Sequence, residues 1–558
     1  MSIAAMKLCS SILQEHFGET VRIVGQDLFC AKSKTLGGIC TSTKLSKKQV
    51  AASLAILVQY RLVRFNPIES NENIAEYTLL YDRILLFLRY PRYMYFIQKK
   101  YGNPSALLLE DLLKSGMAIA QSIIVRAYAA SDVKNTETLK ELRDSLLDLI
   151  GQKFFVRCPE VTGDVVPKLK VEIPNLFLPP DINLKDVNDM IEKGTDPMDV
   201  VQEKIFWTAN FDQFHQAFRD KVLVDCIERQ IDSNAAECFQ FILSLMYNKT
   251  DVWAVKSNPI SLNEIKQIVK KKSSNAELVK YLDQYVSIIE KDECGFLKKN
   301  DDIGGEAYDV NMKEAFKQIA WSIIENVITQ KFGTKAARIF RVVRTKKYIE
   351  QDEIQREAMI PSKEARLYTY KLLEENYVQI QTIKKAGSGM GPTKNFYLFY
   401  VNQQQIARDL IEACYKSLYN LKIRVNLDKD ANKRLMEKAI RLQFIVEALK
   451  ERGESEETIQ DINETLTPPE KEIVENAKMR LNRLESSEIM VDEMMLMLSL
   501  YLQYYSPAAR SFYTGKIFLD YTEDIAYETD NTKKHSRSTK SILKRFQNST
   551  SSNDSQTI

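Results

Sequence analysis

At 558 residues the chain exceeds the ~250–300 residues beyond which single cores stop growing, so several domains are expected. With 44% hydrophobic and 27% charged residues, and only 18 Gly and 15 Pro, the composition is that of a soluble, helix-rich protein. A net charge of +3 excludes a globally basic nucleic-acid binder, so any such contact must be local.

Residues 6–17 read as an amphipathic helix with Leu8, Cys9, Ile12, Leu13 and Phe17 facing inward. A short apolar strand is expected over 21–24 and a small helix over 35–41. The stretch 44–65 then reads as a helix running into a β segment, with a wing over 66–73 and a return strand over 76–81. A second unit starts at Ile84. Its first helix, 84–101, breaks at Gly102-Asn-Pro104 and a new helix begins at Ser105. Helices over 117–130 and 135–153 and a strand over 154–158 follow. The Val-, Pro- and Lys-containing stretch 159–197 reads as a linker packed on the surface.

The third unit has expected helices over 210–231, 234–247, 261–269 and 275–285. Strands over 286–289 and 306–310 would form its hairpin, and 312–332 is a linking helix. The fourth unit is the best formed: helices over 335–348, 349–359 and 362–377, then strands over 378–384 and 395–401. Between the strands lies a Gly-rich, Lys-flanked tip, 385–394. Pro361 stops the preceding helix, and Ser362, with Glu364 behind it, is expected to cap the third. Ala365, Leu367, Tyr368, Leu372 and Leu373 form its expected inward face. Val378, Ile380 and Thr382 alternate with Gln379 and Gln381 along the strand.

From Gln403 the apolar spacing of three and four persists: Ile411, Cys414, Leu418, Leu421 and Val425, then Leu435, Ala439, Leu442, Val446 and Leu449. Gly453 ends this helix, a short connector helix is expected over 458–466, and a second long helix carries Ile473, Ala477, Leu481, Leu484, Met494, Met497, Leu498 and Tyr501. This is an antiparallel helical hairpin or coiled coil, with the methionines 490–497 suited to an adaptable core or partner surface. The tail from Ser506 loses periodicity and reads as mostly disordered, polar and basic. Its cations Lys533, Lys534, Arg537, Lys540, Lys544 and Arg545 are candidates for a localisation or nucleic-acid tail.

The fold class is therefore mainly α with small β-wings: about four tandem winged-helix domains followed by the hairpin. The expected boundaries are 1–82, 83–158, 159–197 (linker), 198–332, 333–401, 402–505 (hairpin) and 506–558 (tail).

Catalytic signatures are missing. There is no phosphate-cradling loop between strand and helix, no GxSxG and no HExxH. His16, His215 and His535 are the only imidazoles, and the eight cysteines are scattered without a CxxC, so no catalytic, cofactor or metal residue is assigned. No apolar run reaches the ~20 residues of a membrane span, and residues 1–7 lack a signal-peptide core. The lead is local positive charge. Arg338, Arg341 and Arg344 recur every three residues on the fourth unit's first helix, with Lys346 and Lys347 after them and Lys384, Lys385 and Lys394 on its wing. Lys44, Lys47 and Lys48 stand at the start of the first unit's third helix. Such groups hold phosphates without reading bases. The third helices themselves, with Glu364, Glu374 and Glu375 in the fourth unit, lack base-reading side chains, which points to protein docking with backbone-level DNA contact.

These residues also carry a family resemblance. Leu8-Cys-Ser-Ser-Ile-Leu-Gln-Glu-His-Phe-Gly18, the stretch 43–50, Lys335-Ala-Ala-Arg-Ile-Phe-Arg341, Ile349-Glu-Gln351 and Ala358-Met-Ile-Pro-Ser-Lys-Glu-Ala365 resemble the third-subunit family of DNA-directed RNA polymerase III. Phe396-Tyr-Leu398, Cys414-Tyr-Lys-Ser417 and Asn432-Lys-Arg-Leu435 extend the likeness across residues 6–505; the tail and the wing tip 385–394 depart from it. The resemblance implies a TFIIE-alpha-like, non-catalytic subunit without cofactors. Its implied partners are the clamp of the polymerase's largest subunit, the two smaller subunits of the initiation heterotrimer, TFIIIB and promoter DNA, in the nucleus and away from membranes. It implies a part in recruitment and promoter opening for tRNA, 5S rRNA and other small RNAs. A free-standing winged-helix DNA-binding regulator, or a scaffold subunit of another nuclear assembly, remains open from the residues alone.

Overall fold

The computed structural model describes residues 2–31, 33–68, 71–131, 135–158, 160–161, 169–170, 176–194, 205–273, 275–300, 306–385, 394–452, 465 and 467–505. The expected connector helix 458–466, the wing tip 386–393 and the basic tail fall almost wholly outside these residues.

In chain order the first group is α1 (Ile3–Phe17), α2 (Glu19–Cys30), β1 (Lys34–Thr35), α3 (Leu36–Thr43), α4 (Lys47–Gln59), β2 (Val63–Ile68) and β3 (Asn71–Leu79). The second is α5 (Tyr81–Leu85), a 3-10 turn (Leu86–Arg89), α6 (Tyr90–Tyr101), α7 (Asn103–Ser115), β4 (Ala118–Ile119), α8 (Ala120–Ala130), α9 (Thr136–Gly151) and β5 (Phe155–Arg157). After the short pair β6 (Glu160–Val161) and β7 (Leu169–Lys170) come α10 (Leu184–Lys193) and β8 (Phe206–Ala209). The third group is α11 (Phe211–Gln230), α12 (Ser233–Lys249), β9 (Ile260–Ser261), α13 (Leu262–Lys272), α14 (Ala276–Lys291), β10 (Leu297–Asn300) and β11 (Ala307–Val310). The linking helix α15 (Met312–Phe332) leads to α16 (Thr334–Lys346), α17 (Gln351–Ala358), α18 (Ser362–Glu374), β12 (Gln379–Lys385) and β13 (Lys394–Tyr400). The hairpin arms are α19 (Gln403–Arg452) and α20 (Pro468–Tyr505). The mainly α fold with β-wings and a helical hairpin is thus present, and no described helix is long and apolar enough to cross a membrane.

Several expectations need correction. Residues 21–24 are helical, not a strand: Val21, Val24 and Leu28 recur at helical spacing, and all are at most 1% exposed. Gly25 is what lets α2 lie so close to α1, since a Cβ there would overlap Leu13 Cδ1. The helix expected over 84–101 is three pieces: a short helix, a 3-10 turn and α6, whose second residue is Pro91. The stretch read as linker holds the amphipathic helix α10, with Val187 and Met190 buried. Residues 286–289 are not a strand but the end of α14, where Val286 and Ile289 are fully buried with Leu278. The β partner of β11 is instead β10, with Leu297 opposite Val310. Ser362 is the first residue of α18 and does not cap it; Pro361 holds the cap position without a side-chain bond. Leu367, expected inward, is 53% exposed, and the inward face is Ala365, Thr369 and Leu372.

The described chain divides into two compact units. One takes residues 55–78 and 91–216. Its central feature is the antiparallel sheet β4-β8-β5, in which Trp207 pairs with Ala118 and Arg157. Trp207 is 1% exposed, and Thr208 Oγ1 donates to Gly116 O at 3.1 Å. Beside it Tyr93, Phe154 and Phe214 form an aromatic core with ring centroids 4.7–4.9 Å apart along the chain of contacts. His215 is buried there with Nε2 2.9 Å from the Tyr93 hydroxyl.

The other unit takes residues 1–54, 79–90 and 217–509. Its spine is the hairpin. On α19 the buried positions Ile406, Ala407, Leu410, Ile411, Cys414, Tyr415, Leu418, Val425 and Ala439 repeat at three and four, as expected. On α20 Met495 and Met497 are core, whereas Met490 is 69% exposed. The helix α1 packs on α19, where Glu15 Oε2 accepts from Lys422 Nζ at 2.6 Å. The linking helix α15 packs on α20, with Phe316 stacked on Tyr504 at 5.4 Å. His16 lies against Phe87 at 4.9 Å, and burial holds its pKa down. All eight cysteines are free thiols; Cys9, Cys238 and Cys414 are buried, and burial pushes Cys238 and Cys414 up to about 12.

Candidate nucleic-acid interface

The fourth group of elements positions most of the candidate cations. Gly333, at φ +89°, ends α15 and starts α16, a backbone conformation that side chains rarely adopt. Along α16 the residues Ala336, Ala337, Ile339, Phe340 and Val343 are buried, which leaves Arg338, Arg341 and Arg344 on or beside the outer face.

That stripe divides. Arg341 Nε and Arg344 Nη1 each donate to Glu325 of α15, at 2.8 Å, one to each carboxylate oxygen. Arg344 Nη2 also reaches Gln318 Oε1 at 3.1 Å, and its guanidinium lies 4.6 Å from the Trp321 ring centre. These two arginines therefore clip α16 to the preceding helix. Lys346 pairs with Glu357 at 3.1 Å. Arg338 and Lys347 are exposed and have no ion-pair partner among the described residues. Lys347 ends the helix at φ +66°. Two residues on, Ile349 joins the wing through reciprocal backbone bonds with Phe399 of 3.1 and 2.8 Å.

On the wing, register sets Lys384 opposite Asn395 and Lys385 opposite Lys394. In the first group Lys44 closes α3 in the left-handed region at φ +59°. Ser46 and Gln49 then form a reciprocal cap for α4, with Gln49 N bonded to Ser46 Oγ at 3.4 Å and Ser46 N to Gln49 Oε1 at 3.2 Å. Lys47 and Lys48 stand in that first turn, and all three lysines are exposed without ion-pair partners among the described residues. The tail cations 533–545 lie outside the described residues.

Sequence reasoning missed several exposed apolar side chains on the same fourth group. Leu367 (53%) and Tyr370 (56%) on α18, with Ile383 (47%), Phe396 (37%) and Tyr397 (55%) on the wing, are exposed. Glu364, in the first turn of α18, is already bonded to Lys335 at 2.5 Å. The same helix also exposes Lys363, Arg366 and Lys371, with Arg366 3.9 Å from Asp352, so its outer side mixes apolar and cationic side chains.

Comparison with known proteins agrees with this architecture. Residues 7–67 match a family model described as an RNA polymerase III subunit RPC82 helix-turn-helix domain, and 156–319 one described as RNA polymerase III subunit RPC82. Residues 324–401 match a POLR3C C-terminal winged-helix domain, and 434–497 the helical hairpin domain of DNA-directed RNA polymerase III subunit RPC3. The chain is 33% identical over 533 residues to DNA-directed RNA polymerase III subunit RPC3 of Homo sapiens, covering 90% of this chain and 99% of that one. It is 31% identical over 535 residues to the Danio rerio subunit, with the same coverage, and 24% identical over 267 residues to that of Dictyostelium discoideum, covering 45% and 39%. With winged-helix elements, a helical hairpin and a full-length match at this identity, the chain belongs to the RPC3 family of RNA polymerase III subunits.

Proposed function

We propose that the chain acts without catalytic residues of its own, as an initiation subunit of nuclear RNA polymerase III for tRNA, 5S rRNA and other small RNAs. It docks on the clamp of the largest subunit beside the two smaller subunits of the initiation heterotrimer, takes part in recruitment through TFIIIB and helps open promoter DNA. The family resemblance supplies these partners. The exposed apolar side chains of α18 and the wing suit protein docking. Phosphate contact falls to the unpaired cations Arg338, Lys347, Lys44, Lys47 and Lys48, and to the wing lysines Lys384, Lys385 and Lys394.

The observation that carries this reading is the division of the α16 stripe, in which Arg341, Arg344 and Lys346 are engaged and Arg338 and Lys347 are free. Each phosphate neutralised on duplex DNA contributes about 0.9 to the salt dependence of log K. Arg338→Glu with Lys347→Glu should therefore lower that slope by roughly 2 and weaken duplex binding uniformly across sequences. Arg341→Ala with Arg344→Ala should leave the slope alone and lower the thermal midpoint, because the carboxylate of Glu325 loses both partners. Fluorescence anisotropy of the full chain against salt, with melting of each variant, reads both. An unchanged slope in the first variant makes this edge mere solvated surface.

A further inference from the structure

The turn that ends α18 bounds a cavity of about 330 Å³ together with the start of α19 and the end of α15. Glu375 caps α18, Asn376 takes the left-handed region at φ +61°, and Tyr377 N–H donates back to Leu372 O at 2.9 Å. That turn sets Glu374, Glu375 and Tyr377 on one wall. On α19 the residues Ile406, Asp409, Leu410 and Ala413, spaced by three and four, form another. Such a volume stands at the small end of ligand pockets, about 300–1,000 Å³.

Four carboxylates and two ammonium groups line the cavity. Lys331 holds Glu375 at 2.7 Å, and Lys416 stands 3.5 Å from Glu412. Glu374 and Asp409 have no cationic partner among the described residues, and Asp409 accepts from the Gln405 amide at 2.9 Å. Lys371 and Arg408, near them in sequence, do not line the cavity. Tyr377 adds an independent sign of a missing ligand. It is 5% exposed, yet its hydroxyl has no hydrogen-bond partner among the described residues. Phe332 packs edge-on against the Tyr377 ring at 5.9 Å and fixes its position. Burial, with Glu375 and Asp409 nearby, pushes the phenol up to about 12, so it stays neutral and keeps its donor and acceptor capacity. A buried hydroxyl without a partner, beside two uncompensated carboxylates, calls for a ligand with several donors.

Among the described residues no three carboxylate, His or Cys side chains converge as a metal ion requires. The acceptors are spread over two helices and a turn. A guanidinium, with five N–H donors in a rigid fork, spans separated acceptors, whereas an ammonium concentrates its charge at one point. Ile406 and Leu410, both buried, supply apolar surface for a methylene stem. We propose that this cavity takes an arginine side chain from a partner protein, its guanidinium shared between Glu374, Asp409 and the Tyr377 hydroxyl. Leu367 and Tyr370, both exposed, stand seven and four residues before Glu374 on the same side of α18, which favours a protein segment over a free solute. The choice of source rests on the protein-docking reading above; the guanidinium rests on the cavity alone.

Saturation-transfer NMR of the full chain with N-acetyl-arginine methylamide at millimolar concentration tests this. Saturation should reach the arginine side-chain protons. The citrulline counterpart, of the same shape without the charge, should bind about tenfold more weakly. Glu374→Gln with Asp409→Asn should weaken the arginine probe about tenfold and leave the melting midpoint unchanged, since neither carboxylate is buried. Tyr377→Phe, which removes one oxygen, should weaken it about threefold and repeats the test if the carboxylate variant melts early. No transfer to the arginine probe overturns the proposal, as does equal binding of citrulline or binding unaltered in these variants. Agmatine bound about tenfold more tightly than the capped residue would overturn the protein source. No polymerase enters the measurement, so its failure leaves the docking reading standing. That reading falls instead if Leu367→Ser with Tyr370→Ser leaves polymerase association unchanged.

Discussion

Replacing Arg89 with methionine is expected to destabilise the hairpin-containing unit by about 3–5 kcal/mol, the cost of leaving a buried charge without its partner. Arg89 lies in the 3-10 turn before α6 and Asp492 near the middle of α20, more than four hundred positions on in the chain. Arg89 Nε sits 2.9 and 2.8 Å from the two Asp492 oxygens, and the side chains are only 3% and 4% exposed. Water cannot take over either role. The pair itself need not be a net stabiliser, because burying two charges costs about as much as their attraction returns. The double variant Arg89→Met, Asp492→Leu should therefore recover most of the loss. Urea unfolding of the four members of the cycle measures it, and a double variant as unstable as the sum of the singles removes the coupling argued here.

Arg219→Ala should cost a similar amount, about 3–5 kcal/mol, by a different route. Its guanidinium is fully buried and satisfied from every side. Nη1 donates to Val252 O at 2.7 Å and to the Tyr504 hydroxyl at 3.0 Å, and Nη2 to the Tyr247 hydroxyl at 2.6 Å. Nε and Nη2 hold Asp220 at 3.0 and 2.9 Å, and the Trp253 ring centre lies 4.8 Å away. Removing it takes a donor from the Tyr504 hydroxyl, Val252 O and Asp220, although Tyr247 still donates to Asp220 at 2.6 Å, and opens a void under Trp253. Arg219→Lys should rescue little, since an ammonium cannot span that fork. Urea denaturation followed by circular dichroism measures the loss in each variant. Rescue by lysine to within about 1 kcal/mol would show that charge alone, not the fork, holds this junction.

Much of the fold was legible because helices announce themselves locally. The expected linking helix 312–332 is α15, and the wing strand expected over 395–401 is Lys394–Tyr400. What failed was nonlocal. The strand β8 pairs with β4 and β5, residues on the far side of a long excursion, so nothing in Phe206-Trp-Thr-Ala209 identifies its partners. Val286-Ser-Ile-Ile289 has strand-forming residues, yet burial of Val286 and Ile289 on a helical face with Leu278 and Leu282 overrides that preference. The interface followed the same rule. Spacing exposed the stripe Arg338, Arg341, Arg344, but its division depends on Glu325, which lies on another helix.

The central claim, an accessory initiation role in RNA polymerase III, is tested most directly by comparing polymerase with and without this chain on two templates. One carries a tRNA gene promoter with TFIIIB, and the other has a single-stranded tail that allows entry without opening. Polymerase lacking the chain is expected to extend RNA from the tailed template at the full rate and to lose promoter-directed transcription, with recovery when the chain is added back. Loss of extension on the tailed template, or promoter transcription undiminished without the chain, would contradict it.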